Sequence, residues 1–388
     1  MIGGCALRIV QVSSGLHKEF GGPPVAVLGA ASGLRNLGHQ VQLFVFGQST
    51  MSRRDNAYFL DKLAEVGVEV YFSKSKKTSR YGGIGSVADL VEILRVIAKS
   101  DIVICHQLYN FQNAIVVPLA RILNKPVVLM PHGTLTAYQR SKIGMKKRLL
   151  SPYFEYLINN FTTGIFVATK KELIELTPRL KQKATVVGLG LEEIETLGSE
   201  RQATECFNFL YLGRITSKKR IDVALDSFAK LTKITTRKIH FNICGSGDEI
   251  IIEDIKEKIR DLALDNCVSF LGWKTGKEKI EILRNSDCFI LTSEDENFAI
   301  AVAESLQYGI PSIISKQVAL SQVVEEYGAG LVFKDLDSNE ISKIMLEMIQ
   351  LDQEMLRKSA LRASEQFSWE KISIIWSDSL KELLKKRA

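Results

Sequence analysis

The chain has 388 residues, 46% of them hydrophobic and 24% charged, with a formal net charge of +7. This is an ordinary globular composition, in a chain longer than one hydrophobic core usually serves, so two domains are expected. The charge favours anionic ligands or an anionic membrane surface and is too small to argue for nucleic acid; no apolar run is long enough for a spanning helix.

Short apolar runs alternate with helix-period segments along the whole chain. Residues 8–12, 41–46, 68–72, 101–105, 126–130, 164–168 and 184–187 read as one set of strands. A second set occupies 207–212, 239–244, 267–271, 288–291, 312–314 and 330–332. Most gaps hold helical patterns, the first opened by Pro23-Pro24. Such alternation predicts an α/β chain with two Rossmann-like, doubly wound domains and buried parallel sheets. The polar, acidic stretch 191–205 is the expected linker, giving domains at 1–190 and 205–368. The last helix carries Ile372, Ile375, Trp376, Leu380 and Leu384 as an apolar stripe. Six cysteines show no CxxC spacing, and Cys105, Cys244 and Cys288 fall in strand-like runs. Together with the lack of a recognisable leader, they point to a reducing, cytoplasmic setting.

Taken in chain order, the candidate loops begin at Gly21-Gly22-Pro23-Pro24. Its glycines let the backbone approach a ligand, or it is a plain strand–helix loop; it is no G-x-G-x-x-G. Pro131-His132-Gly133 follows a strand, which puts His132 at a carboxyl end, either facing a ligand or bonded within its own turn. The segment 141–161 mixes Lys142, Lys146, Lys147 and Arg148 with apolar bulk. A basic amphipathic helix of this kind lies on anionic membrane, although a solvated basic face over an ordinary core is the commoner outcome. Gly213-Arg214 lie in the loop after a strand, and Lys219 is expected to open the next helix. Two cations and a helix N-terminus suit a diphosphate without a metal; a solvated basic turn is the alternative. Gly245-Ser246-Gly247 and Trp273 follow the next two strands, as candidate cleft loops or as packing residues.

The richest segment is 293–305, where Glu296 and Glu304 bracket seven residues. Eight helical steps advance about 12 Å and turn about 80° off register, too far for both to grip one compact ion. A long ligand, charged at its middle and rich in hydroxyls, fits better. Phe298, Ala299 and Ile300 are expected to form the first helical turn, with free N–H groups for a phosphate oxygen. Glu296 should then avoid phosphate. Asp335 and Asp337 mimic a D-x-D metal motif, but Asp337 suits a helix cap. His106, after Cys105, lacks a second ligand at zinc spacing.

The sequence resembles the retaining glycosyltransferases of family 4, on the GT-B fold. The resemblance rests on the Gly-Gly-Pro loop, the His132 loop, a G-R-x4-K segment at 213–219, and an E-x7-E of the E-N-F-G type from Glu296 to Glu304. Two residues depart from that pattern: Ala299 replaces the usual glycine, and Arg220 stands where glycine is frequent. The resemblance implies two domains facing a cleft, with helix 369–388 crossing back to complete the first. It implies transfer of a sugar from a nucleotide-diphospho-sugar, a substrate rather than a cofactor, with retention by front-face attack and no metal. Arg214 and Lys219 would hold the diphosphate, Glu304 the ribose, and Glu296 and His132 the sugar, with His132 stabilising positive charge at the anomeric carbon. The implied acceptor is a glycan or lipid-linked glycan of cell-surface polysaccharide, reached from the inner face of the membrane by peripheral contact through 142–154. A nucleotide-sugar 2-epimerase of the same fold, or a non-catalytic nucleotide-sugar-binding protein, are the alternatives.

Overall fold

The computed structural model describes residues 6–16, 22–46, 60–73, 87–142, 144–192 and 205–387; Gly21 and Ile143 lie outside them. The chain divides into two compact units, Met1–Glu192 with Phe367–Ala388, and Glu193–Gln366.

The first unit holds β1 (Arg8–Ser13), β2 (Gln40–Val45), β3 (Glu69–Phe72), β4 (Ile102–His106), β5 (Val127–Met130), β6 (Gly164–Val167) and β7 (Ala184–Val186). They form one parallel sheet in the order β3-β2-β1-β4-β5-β6-β7. The second holds β8 (Phe207–Leu212), β9 (Ile239–Cys244), β10 (Val268–Gly272), β11 (Cys288–Leu291), β12 (Ser312–Ser315) and β13 (Gly330–Phe333), in the order β10-β9-β8-β11-β12-β13 and again parallel. All thirteen anticipated strands are present, within a residue or so of their expected ends. Strands β4, β5, β6, β11 and β12 are buried along their whole length. That is why they read as unbroken apolar runs: helices cover both faces, leaving no polar side to alternate. In each sheet the strand order reverses direction once, between β1 and β4 and between β8 and β11. Ligands of open parallel sheets bind at the strands' carboxyl ends beside such reversals.

The helix Trp369–Lys385 packs on the first unit. Trp376 is fully buried, meets Phe166 edge-on with ring centroids 5.3 Å apart, and donates its indole N–H to Gly188 O at 3.3 Å. The approach to helix Gly22–Asn36 depends on two glycines one turn apart: a Cβ on Gly29 would meet the Trp369 ring at 2.0 Å, and one on Gly33 the Ser373 hydroxyl at 1.8 Å. The buried stripe runs through Ile372, Ser373, Trp376, Ser377 and Leu380. Ile375, expected on that stripe, is 43% exposed instead, because the stripe follows the small serines that let the helices close.

The basic segment is also divided differently from expectation. Gly144 separates a short helix, Ala137–Ser141, from Met145–Phe161. Phe154, Leu157 and Ile158 face the core, whereas Met145, Leu149, Leu150, Tyr153 and Tyr156 are exposed. Lys142 turns back over the Tyr138 ring, its Nζ donating to the phenol oxygen at 2.7 Å.

Candidate functional site

In the second unit, the loops after β8 and β11 lie side by side at the reversal of strand order. The Glu294 N–H donates to Lys218 O at 2.9 Å. The Thr292 hydroxyl reaches Lys219 O at 3.0 Å and Arg220 O at 2.7 Å. Neighbouring β9 supplies a third loop. There Ile215 N–H donates to Ser246 O at 2.8 Å, and a Cβ on Gly245 or Gly247 would sit 2.0 or 1.9 Å from a carbonyl oxygen of the β8 loop. These two glycines are therefore required by chain meeting chain.

This stitching holds a compact charge cluster. Lys219 Nζ lies 2.7 Å and Lys218 Nζ 3.3 Å from the same Glu296 oxygen, which also accepts from the Ser293 hydroxyl at 3.0 Å. Glu296 is buried; burial pushes its carboxyl up, but the two lysines and the hydroxyl overcome this and hold it below the ordinary glutamate range. Burial lowers Lys219, and Glu296 partly restores it. We read both groups as ionised, since each supplies the other's counter-charge. The two residues assigned separate ligands from sequence, one for phosphate and one for sugar, are thus in contact with each other.

Two local expectations are corrected. Lys219 does not open the next helix: it ends a short 3-10 turn, Ser217–Lys219, and the α-helix begins at Ile221. Arg220 between them adopts a left-handed backbone, φ +47°, with its guanidinium on Asp222 at 2.9 Å and Glu294 at 3.6 Å. Phe298, Ala299 and Ile300 do not form one helical turn; the helix is Ile300–Gln307, and Ala299 is its cap at φ +68°. With the left-handed cap at Ala299, Phe298 lies before the helix rather than in it. The remaining groups sit around the same strand ends. Arg214 is exposed, its carbonyl accepting from the buried Tyr211 hydroxyl at 2.9 Å. Glu304, on the helix, pairs with Lys279 at 2.7 Å. Trp273, just after β10, is 39% exposed. Asp337 caps the helix Ser338–Gln350, accepting from Asn339 N–H at 2.9 Å.

In the first unit, His132 follows β5 in a left-handed conformation, φ +51°. The next N–H, of Gly133, donates to Glu172 at 2.7 Å, and the other Glu172 oxygen accepts from Ala168 N–H at 2.9 Å. His132 Nε2 lies 2.9 Å from His106 Nδ1, and His106 Nε2 lies 2.9 Å from Gln11 Oε1. Burial lowers His132 to about 4 and His106 well below the usual histidine range, with His132 adding to the second effect. Both rings are neutral at neutral pH. Gly22 opens the helix after β1.

His106 had been set aside as a lone zinc ligand, while Gln11, Glu172 and Lys279 were not anticipated. Only Gln11 left a signal: an amide inside a strand otherwise fully apolar from Ile9 to Val12. The others are contacts across tertiary structure that no spacing encodes.

Comparison with known proteins agrees with these units. Residues 21–190 match the family model described as a glycosyl transferase 4-like domain, and residues 195–366 match glycosyl transferases group 1. An uncharacterized glycosyltransferase of Methanocaldococcus jannaschii is 24% identical over 300 residues, covering 75% of this chain and 79% of that protein. Mannosylfructose-phosphate synthase of Agrobacterium fabrum is 25% identical over 169 residues, covering 41% of this chain but only 37% of that protein. The amylovoran biosynthesis glycosyltransferase AmsK of Erwinia amylovora is 25% identical over 176 residues, covering 44% and 42%. Among solved structures, Anabaena HepE in complex with UDP and glucose aligns with a TM-score of 0.75 at 16% identity, covering 97% of this chain and 99% of that one. Sucrose-phosphate synthase of Thermosynechococcus elongatus aligns at 0.69 with 14% identity, covering 97% and 99%. With a parallel-sheet unit of the expected type in each half and a family model on each, the chain belongs to the glycosyltransferases of the GT-B fold that join a 4-like domain to a group 1 domain.

Proposed function

We propose that this protein moves a sugar from a nucleotide-diphospho-sugar to a glycan or lipid-linked glycan acceptor, with retention and without a metal ion, in cell-surface polysaccharide synthesis. The observation that carries this reading is the lysine–glutamate cluster at the reversal between β8 and β11. Lys218 and Lys219 there hold two positive charges against one carboxylate, so the cluster alone keeps one charge in excess. Arg214 at the same strand end adds another, and the start of helix Ile300–Gln307 about half a charge more. A diphosphate fits that sum with little left for a divalent ion.

Arrival of the diphosphate would draw Lys219 from Glu296 toward phosphate oxygens. Glu296, still held by Ser293, would then be free to accept hydroxyl hydrogens from the sugar. Glu304 would serve the ribose hydroxyls with Lys279 steadying its carboxylate. Gly245, Gly247 and Trp273 shape the neighbouring loops. His132, neutral, would bond a sugar hydroxyl and direct a lone pair at growing positive charge on the anomeric carbon. The leaving phosphate takes the acceptor's proton in front-face attack, so no side chain is assigned as base. The donor class bound by Anabaena HepE, a uridine nucleotide with glucose, is the first to try. For a lipid-linked acceptor, the exposed Met145, Leu149 and Leu150, with Arg148 among them, form a suitable contact for the inner face of the membrane.

The test is a screen of UDP-, GDP- and ADP-sugars, reading nucleotide release with and without lipid-linked acceptors, followed by assignment of the product's anomeric configuration by NMR. Transfer with retention from one donor is expected. An inverted product would overturn the mechanism, and failure to bind any nucleotide-sugar would overturn the donor site.

A further inference from the structure

We propose that Gln11 and His106 are positioning residues that hold the imidazole of His132 in a single tautomer, with Nε2 protonated and Nδ1 bare. The inference rests on the reading of His132 as a sugar-binding group and adds to it what fixes that group's chemistry.

The three side chains come from three adjacent strands. Gln11 lies in β1, His106 ends β4, and His132 follows β5 by two residues; the sheet order is β1-β4-β5. Gln11 is fully buried and His106 is 1% exposed. Placing an amide and an imidazole in a sheet interior is unfavourable unless they are hydrogen-bonded. Among the described residues Gln11 Nε2 has no partner, so its amide is held at one end only, the end that meets His106. Apolar residues of similar size would fill both positions more cheaply, so packing does not explain this choice.

The polarity of the chain follows from the atoms. Gln11 presents a carbonyl oxygen, which only accepts, so His106 Nε2 carries a proton. A neutral imidazole has one N–H, so His106 Nδ1 is a lone pair. The 2.9 Å contact to His132 then requires the proton on His132 Nε2. His132 Nδ1 is left as an acceptor, the form suited to a substrate hydroxyl and to a cationic centre. The near-parallel rings, 21° apart with centroids at 5.2 Å, and the Glu172 clamp on the next N–H keep His132 aimed. Burial keeps both rings from gaining a second proton, which would reverse this order.

The experiment is long-range proton–nitrogen NMR on histidine-labelled full-length protein at pH 7, with kinetics and thermal melts of the same samples. In the wild type both rings should report neutral imidazole protonated at Nε2. Gln11→Met, which keeps volume and removes the acceptor, and His106→Leu should give mixed tautomers at His132. They should also lower kcat about 10- to 100-fold, part of what one preorganised contact to developing charge is worth, with donor KM within about twofold. His106→Asn can place a carbonyl near the Nδ1 position, so it should retain the Nε2–H form and most of kcat. A wild-type His132 protonated at Nδ1, or a His132 tautomer unmoved by Gln11→Met in a folded protein, overturns the proposal. If His132→Ala is inactive while Gln11→Met and His106→Leu turn over normally, the relay fails and the site reading stands. If His132→Ala is fully active, the site reading fails, and the NMR signals still decide the relay.

Discussion

Replacing Lys219 with alanine separates the two duties the structure gives it. It is the nearer of two lysines on Glu296, at 2.7 Å against 3.3 Å for Lys218. Its loss leaves a buried carboxylate with one lysine and the Ser293 hydroxyl, which should cost about 1–3 kcal/mol of stability. In turnover, losing one charge-assisted donor to the developing phosphate charge should cost about 2–4 kcal/mol, or roughly 30- to 1,000-fold in kcat/KM. Thermal melts and nucleotide-release kinetics on one preparation read the two effects. The double variant Lys219→Ala, Glu296→Gln tells them apart: a neutral amide needs no counter-charge, so much of the stability returns while the rate does not. The pH dependence has a definite sign. Glu296 titrates below its ordinary 4.5 in the folded protein, so its stabilisation is complete above that value and disappears as pH falls through the lower folded one. Lys219→Ala should narrow that acid-side window. A folded variant with kcat/KM within about threefold of wild type would refute the phosphate role, since an interaction of the size argued cannot be lost so cheaply.

Ala299→Gly should raise stability by up to about 1 kcal/mol, because a left-handed backbone costs a Cβ-bearing residue about 1–2 kcal/mol and glycine's extra unfolded freedom returns part of that; a lowered melting temperature would contradict the strain argument. Activity should persist in excess EDTA, as the cation count already matches a diphosphate; loss of activity with recovery on adding manganese would show that a metal is needed. The protein should sediment with anionic vesicles at low salt and leave them at high salt, each basic residue near the surface contributing about 1 kcal/mol; if Leu149→Ser with Leu150→Ser leaves sedimentation unchanged, the exposed face of Met145–Phe161 is not the contact.

The strands were legible because burial on both faces writes itself as unbroken apolar runs, and β4, β5 and β11 could hardly have been read otherwise. The Asp337 cap was legible because its chemistry is local. Two departures from the family pattern, Arg220 and Ala299, gain a common explanation: each occupies a left-handed position, at φ +47° and +68°, where glycine is the unstrained choice. Sequence flagged both sites without revealing why glycine is usual there. Less accessible was whatever depends on a partner far along the chain. His106 was set aside for want of a second zinc ligand, yet its partners are Gln11 and His132, brought together by strand order rather than spacing. Likewise, the Lys219–Glu296 contact joins loops 77 residues apart, 219 to 296, and local charge pattern could only assign each end its own ligand.

The insertion of the carboxyl-terminal helix between Gly29, Gly33 and Gly188 has a consequence for synthesis. His39 bonds Ser377 across 338 residues, so the first unit to begin emerging from the ribosome is the last to be completed. A ribosome adding about 5–20 residues per second spends roughly 10–35 s between residue 192 and residue 369. During that interval the slot for Trp369 and Trp376 is an apolar trough without its filling, while residues 193–366 emerge as an unbroken stretch able to fold in the meantime. Emergence of residues 369–385, rather than appearance of the first sheet, is therefore the event that closes the amino-terminal unit. Deleting residues 369–388 should leave nascent protein bound to holdase chaperones even though every loop of the lysine–glutamate cluster has been made.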